Sequence, residues 1–346
     1  MYVLIPDVFY VPVRYSLNNE ALFNSNQNIP RQILIGVSLP NQREDRWIRD
    51  ATAMKKEADA QGATLKIEYF EFDPVKQAEQ VAEMIKEKVN IIIIASIDEE
   101  STKKLVEDAH AVGIKMISYE VIAKNSDIDF FIGFNNIRVG ELQGRYLTSY
   151  VPKGNYILLS GSPKGEQFKE GAMEYITPLV INRSVKIIAD KVIEGWIPLN
   201  AYTIVSDILN NVTDKIDAVL APNDATAGAV IAALSEHGLA GKTAVTGQDA
   251  DLAAVKRIVD GTQLMTVFKD SRELAKTAVD TAIKLVNGSV IDVTNDINNG
   301  LKDVPSILVD PIPVDKSNID KTLVATGIYK KDEIFKRLNW INFNST

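Results

Sequence analysis

The stretch VNIIIIAS, residues 89–96, constrains the fold more than any other part of the chain. Four consecutive isoleucines without polar alternation read as a strand covered on both faces, which is the signature of a parallel sheet flanked by helices. Its neighbours fit. ILIGVS (33–38) is an apolar run soon stopped by Pro40, and DATAMKKEADAQG (50–62) has helical spacing and stops at Gly62. TLKIEYFEF (64–72) alternates as a strand does. PVKQAEQVAEMIKEK (74–88) is helical with Pro74 in its first turn. ESTKKLVEDAHAVG and IKMISYE then add a helix and a strand, giving βαβαβαβ, the pattern of a doubly wound α/β sheet. After DIDFFIGF the pattern restarts, with NYILLSG, VKIIADKVIEG, DAVLAPN, TAVTGQD and LMTVFKD as strands separated by helices. Residues 91–120 and 217–249 share one order: apolar strand, polar tip, helix, glycine, and a strand ending in an acid. Two similar α/β lobes are expected, and 346 residues suit about two domains.

Ligands of such sheets bind outside the carboxyl ends of the strands. Those tips fall at 41–47, 96–98, 119–120, 162–167, 196–200, 223–224, 248–249 and 269–270, and they are rich in Asn, Gln, Asp, Arg and Trp. The first tip, NQREDRW, stands where a nucleotide-binding chain would carry a glycine-rich phosphate loop. The tips hold no Ser–His pair and no histidine cluster. A polyol matches them: Asp and Asn accept from hydroxyls, Arg, Lys and Asn donate, forked Arg spans neighbouring oxygens, and Trp covers the C–H side of a ring.

Composition narrows the field. A net charge of −8 argues against a nucleic-acid partner. The absence of cysteine removes disulfides, thiol nucleophiles, Cys-ligated zinc and a lipid-bearing cysteine. The two histidines, His110 and His237, fall at helix ends, where a surface role is expected, so no metal site and no cofactor is expected. No run reaches the ~20 apolar residues of a membrane helix. The N-terminal residues MYVLIPDVFYVPVRYS are interrupted by Pro6, Asp7 and Pro12, and NNEALFNSNQNIP reads as a linker.

The strings VGELQ, GNYILLSGSP, GWIPLNA, NDATAG, GQDADLA and NNGLKDVPS occur in that order, and through them residues from about 33 to 331 resemble the periplasmic sugar-binding proteins of the ribose/xylose type, on their xylose-binding branch. The resemblance implies a type I periplasmic binding fold: two Rossmann-like lobes, each a parallel sheet flanked by helices, joined by a three-segment hinge, with a sugar held between lobes that close on it. It implies hinge segments at 134–136, 269–271 and 304–306, with Asn135, Asn136 and Asp270 as hinge residues. Lobe 1 is then 33–133 plus 271–305 and lobe 2 is 135–269 plus 306–331, with a linker at 1–32 and a tail at 332–346. Carried over, the sugar-binding residues are Arg46, Trp47, Trp196, Asn223, Asp249 and Lys269, with Glu120 and Gln167 at two positions that depart from the family. The family has Asp-Arg where this chain has Glu120-Val121, and a longer Asp-Asn-Asn loop where it has Lys164, Glu166 and Gln167.

Plainer roles compete at each position. Arg46 could pair on a helix surface with Glu44, Asp45 or Asp50, Trp47 could be core, and Lys269 could be a solvated hinge lysine. Asp224 is expected to cap a helix, which leaves Asn223 for the ligand, and Asp251 is expected as a first-turn acid beside Asp249 as ligand. The expected function is a non-enzymatic, extracytoplasmic receptor for D-xylose or a similar monosaccharide. Its membrane partner is either an ABC transporter permease or the sensor domain of a histidine kinase. The N-terminal extension, read as adjoining a membrane anchor, and the apolar residues Ile334, Phe335, Leu338, Trp340 and Ile341 favour the second partner. A cytoplasmic repressor of the lactose-repressor type would need a helix-turn-helix, for which residues 1–30, with three prolines, are unsuited. An enzyme would need a nucleophile–base pair, which the tips lack.

Overall fold

A computed structural model describes residues 32–42, 45–96, 98–162 and 165–335. The N-terminal linker, Lys164, and the tail residues Leu338, Trp340 and Ile341 therefore lie outside the described residues. The chain divides into two compact units: unit 1 runs to Phe134 and resumes over Asp270–Val309, and unit 2 holds Asn135–Lys269 and the chain from Asp310.

Unit 1 starts with β1 (Leu34–Leu39), α1 (Asp45–Ala60), β2 (Thr64–Tyr69), α2 (Pro74–Lys86), β3 (Ile91–Ile94), α3 (Glu99–His110), β4 (Lys115–Tyr119) and β5 (Phe130–Phe134). Unit 2 follows with α4 (Asn136–Tyr150), β6 (Gly154–Ser162), α5 (Glu166–Ile181), β7 (Val185–Glu194), α6 (Pro198–Asn211), β8 (Ala218–Leu220), α7 (Asp224–Glu236), β9 (Ala244–Val245), α8 (Leu252–Asp260) and β10 (Thr266–Phe268). The chain returns to unit 1 for α9 (Ser271–Val286), β11 (Asn295–Asn298) and β12 (Asp303–Val309). It ends in unit 2 with β13 (Ile312–Val314), a π-helical turn (Asp320–Val324) and α10 (Lys331–Phe335).

The unit 1 sheet has the order β11-β12-β5-β4-β3-β1-β2, parallel throughout except for the β11–β12 edge. The isoleucine run sits at its centre, all four residues fully buried. Ile91 and Ile93 pack with Trp47, Met54 and the α9 residues Leu274 and Ala278. Ile92 and Ile94 face Val81, Met84, Leu105 and Val106 of α2 and α3. Alternate side chains of one strand thus serve two opposite cores, each worth about 1.5–3 kcal/mol of burial. Unit 2 repeats the design with the order β7-β6-β8-β9, all parallel. In both sheets the strand order reverses beside the first strand, β1 or β6, so each unit has its switch point there.

Glycine sets the packing of α4 on α5. A Cβ on Gly140 would lie 1.8 Å from the Phe168 carbonyl oxygen, one on Gly144 2.5 Å from the Ala172 oxygen, and one on Gly171 2.0 Å from the Ile137 oxygen. The two helices meet backbone to backbone.

A second internal repeat is visible only in the backbone. After β2 the chain runs Glu71-Phe72-Asp73-Pro74-Val75, and after β7 it runs Gly195-Trp196-Ile197-Pro198-Leu199. Both turns place two consecutive residues in the left-handed region, φ 55° and 60° in the first and 63° and 58° in the second. Both then extend at the cap and begin a helix on proline.

Two expected boundaries move. The third crossing was expected at 304–306, but Ser306–Val309 pair in parallel with Phe131–Phe134 of β5, so the chain leaves unit 1 after Val309. The tail expected at 332–346 begins inside unit 2: Ile334 is 3% exposed and packs with Val255, Ile258 and Leu323. It is core rather than exposed apolar tail.

Candidate functional site

Unit 1 gathers its charged residues at the carboxyl ends of β1 and β4. Arg46 and Trp47 stand in the first turn of α1, directly after the β1 tip. The Arg46 guanidinium lies 4.6 Å from the centre of the Trp47 ring. Its Nη2 is 2.9 Å from Glu120 Oε1, and its Nε is 3.9 Å from Asp50 Oδ2 one turn along α1. Glu120 holds a left-handed φ of 66° while its N–H donates to the Ile132 carbonyl, so the carboxylate is aimed by a backbone that a non-glycine residue rarely adopts. Trp47 is 8% exposed and belongs to the α1 core, so the core role weighed from the sequence is real. Its Nε1–H and the Oε2 of Glu120 are nevertheless buried without a hydrogen-bond partner among the described residues. A forked cation, an open carboxylate oxygen and an indole N–H are thus within one cluster, a set that can donate to and accept from neighbouring hydroxyls.

Electrostatics hold this cluster charged at Arg46. Burial favours loss of its proton, but Glu120 and Asp50 outweigh burial and raise its pKa above the ordinary value. Asp50 is fully buried, and burial pushes its carboxyl up to about 6 against the opposing pull of Arg46, Ser271 and Tyr119. The Tyr119 O–H donates to Asp50 Oδ2 at 2.9 Å. Burial, followed by the Asp50 charge, holds that phenol far above its usual pKa.

In unit 2, Asn223, Asp249, Lys269 and Trp196 follow β8, β9, β10 and β7. The helix-cap expectation is corrected here. Asn223, not Asp224, is the N-cap of α7: its Oδ1 accepts from the Thr226 N–H at 3.0 Å in a capping box. Its Nδ2 stays available as a donor. Asp224 is 1% exposed and accepts from Gln263 Nε2, Thr266 Oγ1 and the Asp251 N–H. Burial, with Asp249 next, raises its carboxyl to about 8 against these donors. Asp224 therefore ties α7 to the strand and loop that carry Lys269 and Asp249. Asp251 is the cap residue of α8 rather than a first-turn acid. Asp249 has φ 97°, and its Oδ1 lies 3.2 Å from Lys269 Nζ. Gln143 Nε2 donates to the carbonyls of Ala221 and Gly247, bracing the tips after β8 and β9 from α4.

Trp196 meets Phe168 edge-to-face, with ring centres 6.1 Å apart and planes at 80°. Three of its ring atoms would lie 2.4–2.5 Å from a Cβ built on Gly161, so the indole lies flat on the bare backbone of β6. Gln167 is exposed, and its Oε1 accepts from Asn136 Nδ2 at 3.1 Å. The structure pairs it with Asn136, an expected hinge residue.

The first two crossings between units are built alike. Asn135 caps α4 at φ −74°, ψ 90°, and Asp270 caps α9 at φ −74°, ψ 97°. Asp270 accepts from the Arg272 N–H and guanidinium. His110 Nε2 sits 2.8 Å from Asp129, and His237 ends α7, as helix-end histidines should. Among the described residues no group of three or more His, Cys, Asp or Glu side chains could hold a metal ion.

Gln143 was not read from the sequence. Asp50 was weighed as a partner of Arg46, Tyr119 stood in a strand tip and Asp224 was read as a cap, but their burial was not legible there.

Comparison with known proteins bears on this arrangement. The family model for the periplasmic binding protein domain matches residues 35–289. The chain is 40% identical over 307 residues to the D-xylose-binding periplasmic protein of Escherichia coli, covering 88% of this chain and 93% of that one. It is 33% identical over 326 residues to the multiple sugar-binding periplasmic receptor ChvE of Rhizobium radiobacter, covering 87% and 92%. Among solved structures, a carbohydrate transporter solute binding protein from Chloroflexus aurantiacus in complex with D-glucose aligns with a TM-score of 0.75 and 29% identity, covering 88% of this chain and 98% of that one. With its two α/β units of matching strand order, the chain belongs to the periplasmic binding protein family.

Proposed function

We propose that this chain is an extracytoplasmic receptor for D-xylose or a similar aldopentose, and that it binds its sugar without transforming it. The observation that carries this reading is the pair of polar–aromatic clusters, Arg46–Trp47–Glu120 in one unit and Trp196–Asn223–Asp249–Lys269 in the other, both at carboxyl ends of parallel strands. Relatives named for D-xylose and for multiple sugars support the ligand class. Each cluster offers donors, acceptors and an aromatic face to a sugar, and binding favours the state that engages it. Asn135, Asn136 and Asp270, at the crossings, are the hinge positions of this proposal. Gln167 contributes through Asn136.

The receptor hands sugar or signal to a membrane partner. Neighbours titled as transporter solute binding proteins favour an ABC transporter permease. The kinase-sensor alternative loses the support of Ile334, which is buried. Among the described residues no helix is long and apolar enough to cross a membrane.

Calorimetric titration with D-xylose, and with D-ribose, L-arabinose and D-glucose as comparators, tests the reading. Saturable binding with D-xylose preferred is the expected result. Absence of binding to all four refutes it.

A further inference from the structure

We propose that Asp50 is a positioning residue of the unit 1 cluster: its buried carboxylate fixes the Arg46 guanidinium for the sugar, so neutralising that carboxylate weakens sugar binding. This inference rests on the reading of Arg46 as a sugar contact.

The geometry is a closed circuit. Asp50 lies one helical turn beyond Arg46 on α1, with Oδ2 3.9 Å from Arg46 Nε. Arg46 Nη2 reaches Glu120 Oε1 at 2.9 Å. The residue before Glu120 is Tyr119, whose O–H returns to Asp50 Oδ2 at 2.9 Å. Asp50 and Tyr119 are both fully buried, whereas the Arg46 side chain is 31% exposed. The two inner members are therefore anchored in the core and the outer member reaches beyond it. Glu120 binds one edge of the guanidinium, the Asp50 charge stands 3.9 Å from its Nε, and the Trp47 ring supports its face. The Ser271 hydroxyl, in the first residue of α9, also acts on Asp50. One carboxylate thus ties α1 to β4.

Burying a carboxylate costs stability, offset only by its hydrogen bonds and counter-charge. Here its charge lies beside the Nε edge of a guanidinium whose other edge is paired with Glu120, and so fixes the plane in which the guanidinium meets the sugar. The charged and titratable groups that act on Asp50 are Arg46 and Glu120, with Tyr119 and the Ser271 hydroxyl from the other packed elements. Burial places its titration at about 6. The sign follows. Sugar binding requires Arg46 held and therefore Asp50 ionised, so binding expels the Asp50 proton. By linkage, affinity falls as pH drops through about 6.

The test is calorimetric titration of D-xylose from about pH 5 to about pH 8 on the wild type, Asp50→Asn and Tyr119→Phe. The wild type should lose about tenfold in affinity across this range, the scale of one charge-assisted contact. Asp50→Asn should bind about tenfold more weakly at the alkaline end and respond little to pH. Tyr119→Phe should move the midpoint upward, because its O–H favours the ionised carboxylate. Wild-type affinity and slope in Asp50→Asn overturn the proposal. If that variant does not fold, an unmoved midpoint in Tyr119→Phe overturns it. Sugar binding with no dependence on Asp50 refutes this inference alone, whereas no sugar binding by the wild type at any pH refutes the receptor reading with it.

Discussion

Gly161→Ala isolates the role of Trp196 with a single methyl group. Gly161 lies within β6 and outside the left-handed region, so alanine suits its backbone. The new Cβ, however, would stand 2.4, 2.4 and 2.5 Å from three atoms of the indole. Carbon atoms settle at about 3.5–4.0 Å, so the ring must lift by about 1 Å or more. Phe168 borders it edge-on, and the Trp196 backbone is committed to φ 58° by the turn that begins α6. The ring therefore tilts rather than slides. Overpacking of this kind costs about 1–3 kcal/mol. If Trp196 stacks on the sugar, a loss near the lower end of that range appears as about tenfold weaker binding, at 1.4 kcal/mol per decade. Calorimetry with D-xylose measures the affinity, urea unfolding measures the stability, and near-ultraviolet circular dichroism reports the indole. A changed indole signal with undiminished affinity refutes Trp196 as a contact. An unchanged indole signal refutes the packing argument itself.

Four further outcomes are expected. Asp249→Ala should abolish most D-xylose binding in calorimetry with little loss of urea stability, since its side chain is 38% exposed. Asn223→Ala should lose about 1 kcal/mol of stability with its cap and also lose affinity, whereas Asn223→Ser should keep the cap and lose affinity alone. Gly140→Ala should lower the unfolding free energy measured in urea by about 1–3 kcal/mol or more, because the clash is with the Phe168 backbone and cannot be relieved by a rotamer. Without sugar, Asp50 contributes stability that is fully present below its ordinary value of 3.8 and is lost as pH rises through about 6. That change is about 3 kcal/mol, so the unfolding free energy of the wild type minus that of Asp50→Asn should fall by about this much over the interval.

The last outcome bears on the site. In its ionised form Asp50 costs stability, while in the proposed receptor that same form supports the grip on Arg46. Glu120, Trp196 and Asp249 show a related pattern, each being a non-glycine residue held at positive φ. Strained backbone of this kind is frequent at ligand sites, and other turns of the chain carry it too.

Much of the fold was legible because hydrophobic periodicity is local. The isoleucine run announced a strand covered on both faces, and the Pro and Gly signals fixed helix ends within a few residues. The strand tips followed from chain order, since a parallel sheet puts all its carboxyl ends on one side. β11 was not legible: three of the four residues of Asn295–Asn298 are polar, and it becomes a strand only by pairing antiparallel with β12. The misplaced third crossing has the same cause, because only pairing with β5 shows that Ser306–Val309 belong to unit 1. At Asn223 and Asp224 two adjacent residues could each cap, and the sequence cannot say which side chain turns back toward Thr226 and which is buried among Gln263, Thr266 and Asp251.

By itself, then, the sequence determined the alternation of strand and helix, the two-unit order and the chemical character of the strand tips, all of which depend on neighbours within a few residues. Tertiary structure alone decided which tip residues are gripped and by what. Asp50 meets Tyr119 across a separation of 69 residues, and Asp224 meets Thr266 across 42. Such pairings depend on which elements the folded sheet brings together, and that has no periodicity along the chain to betray it.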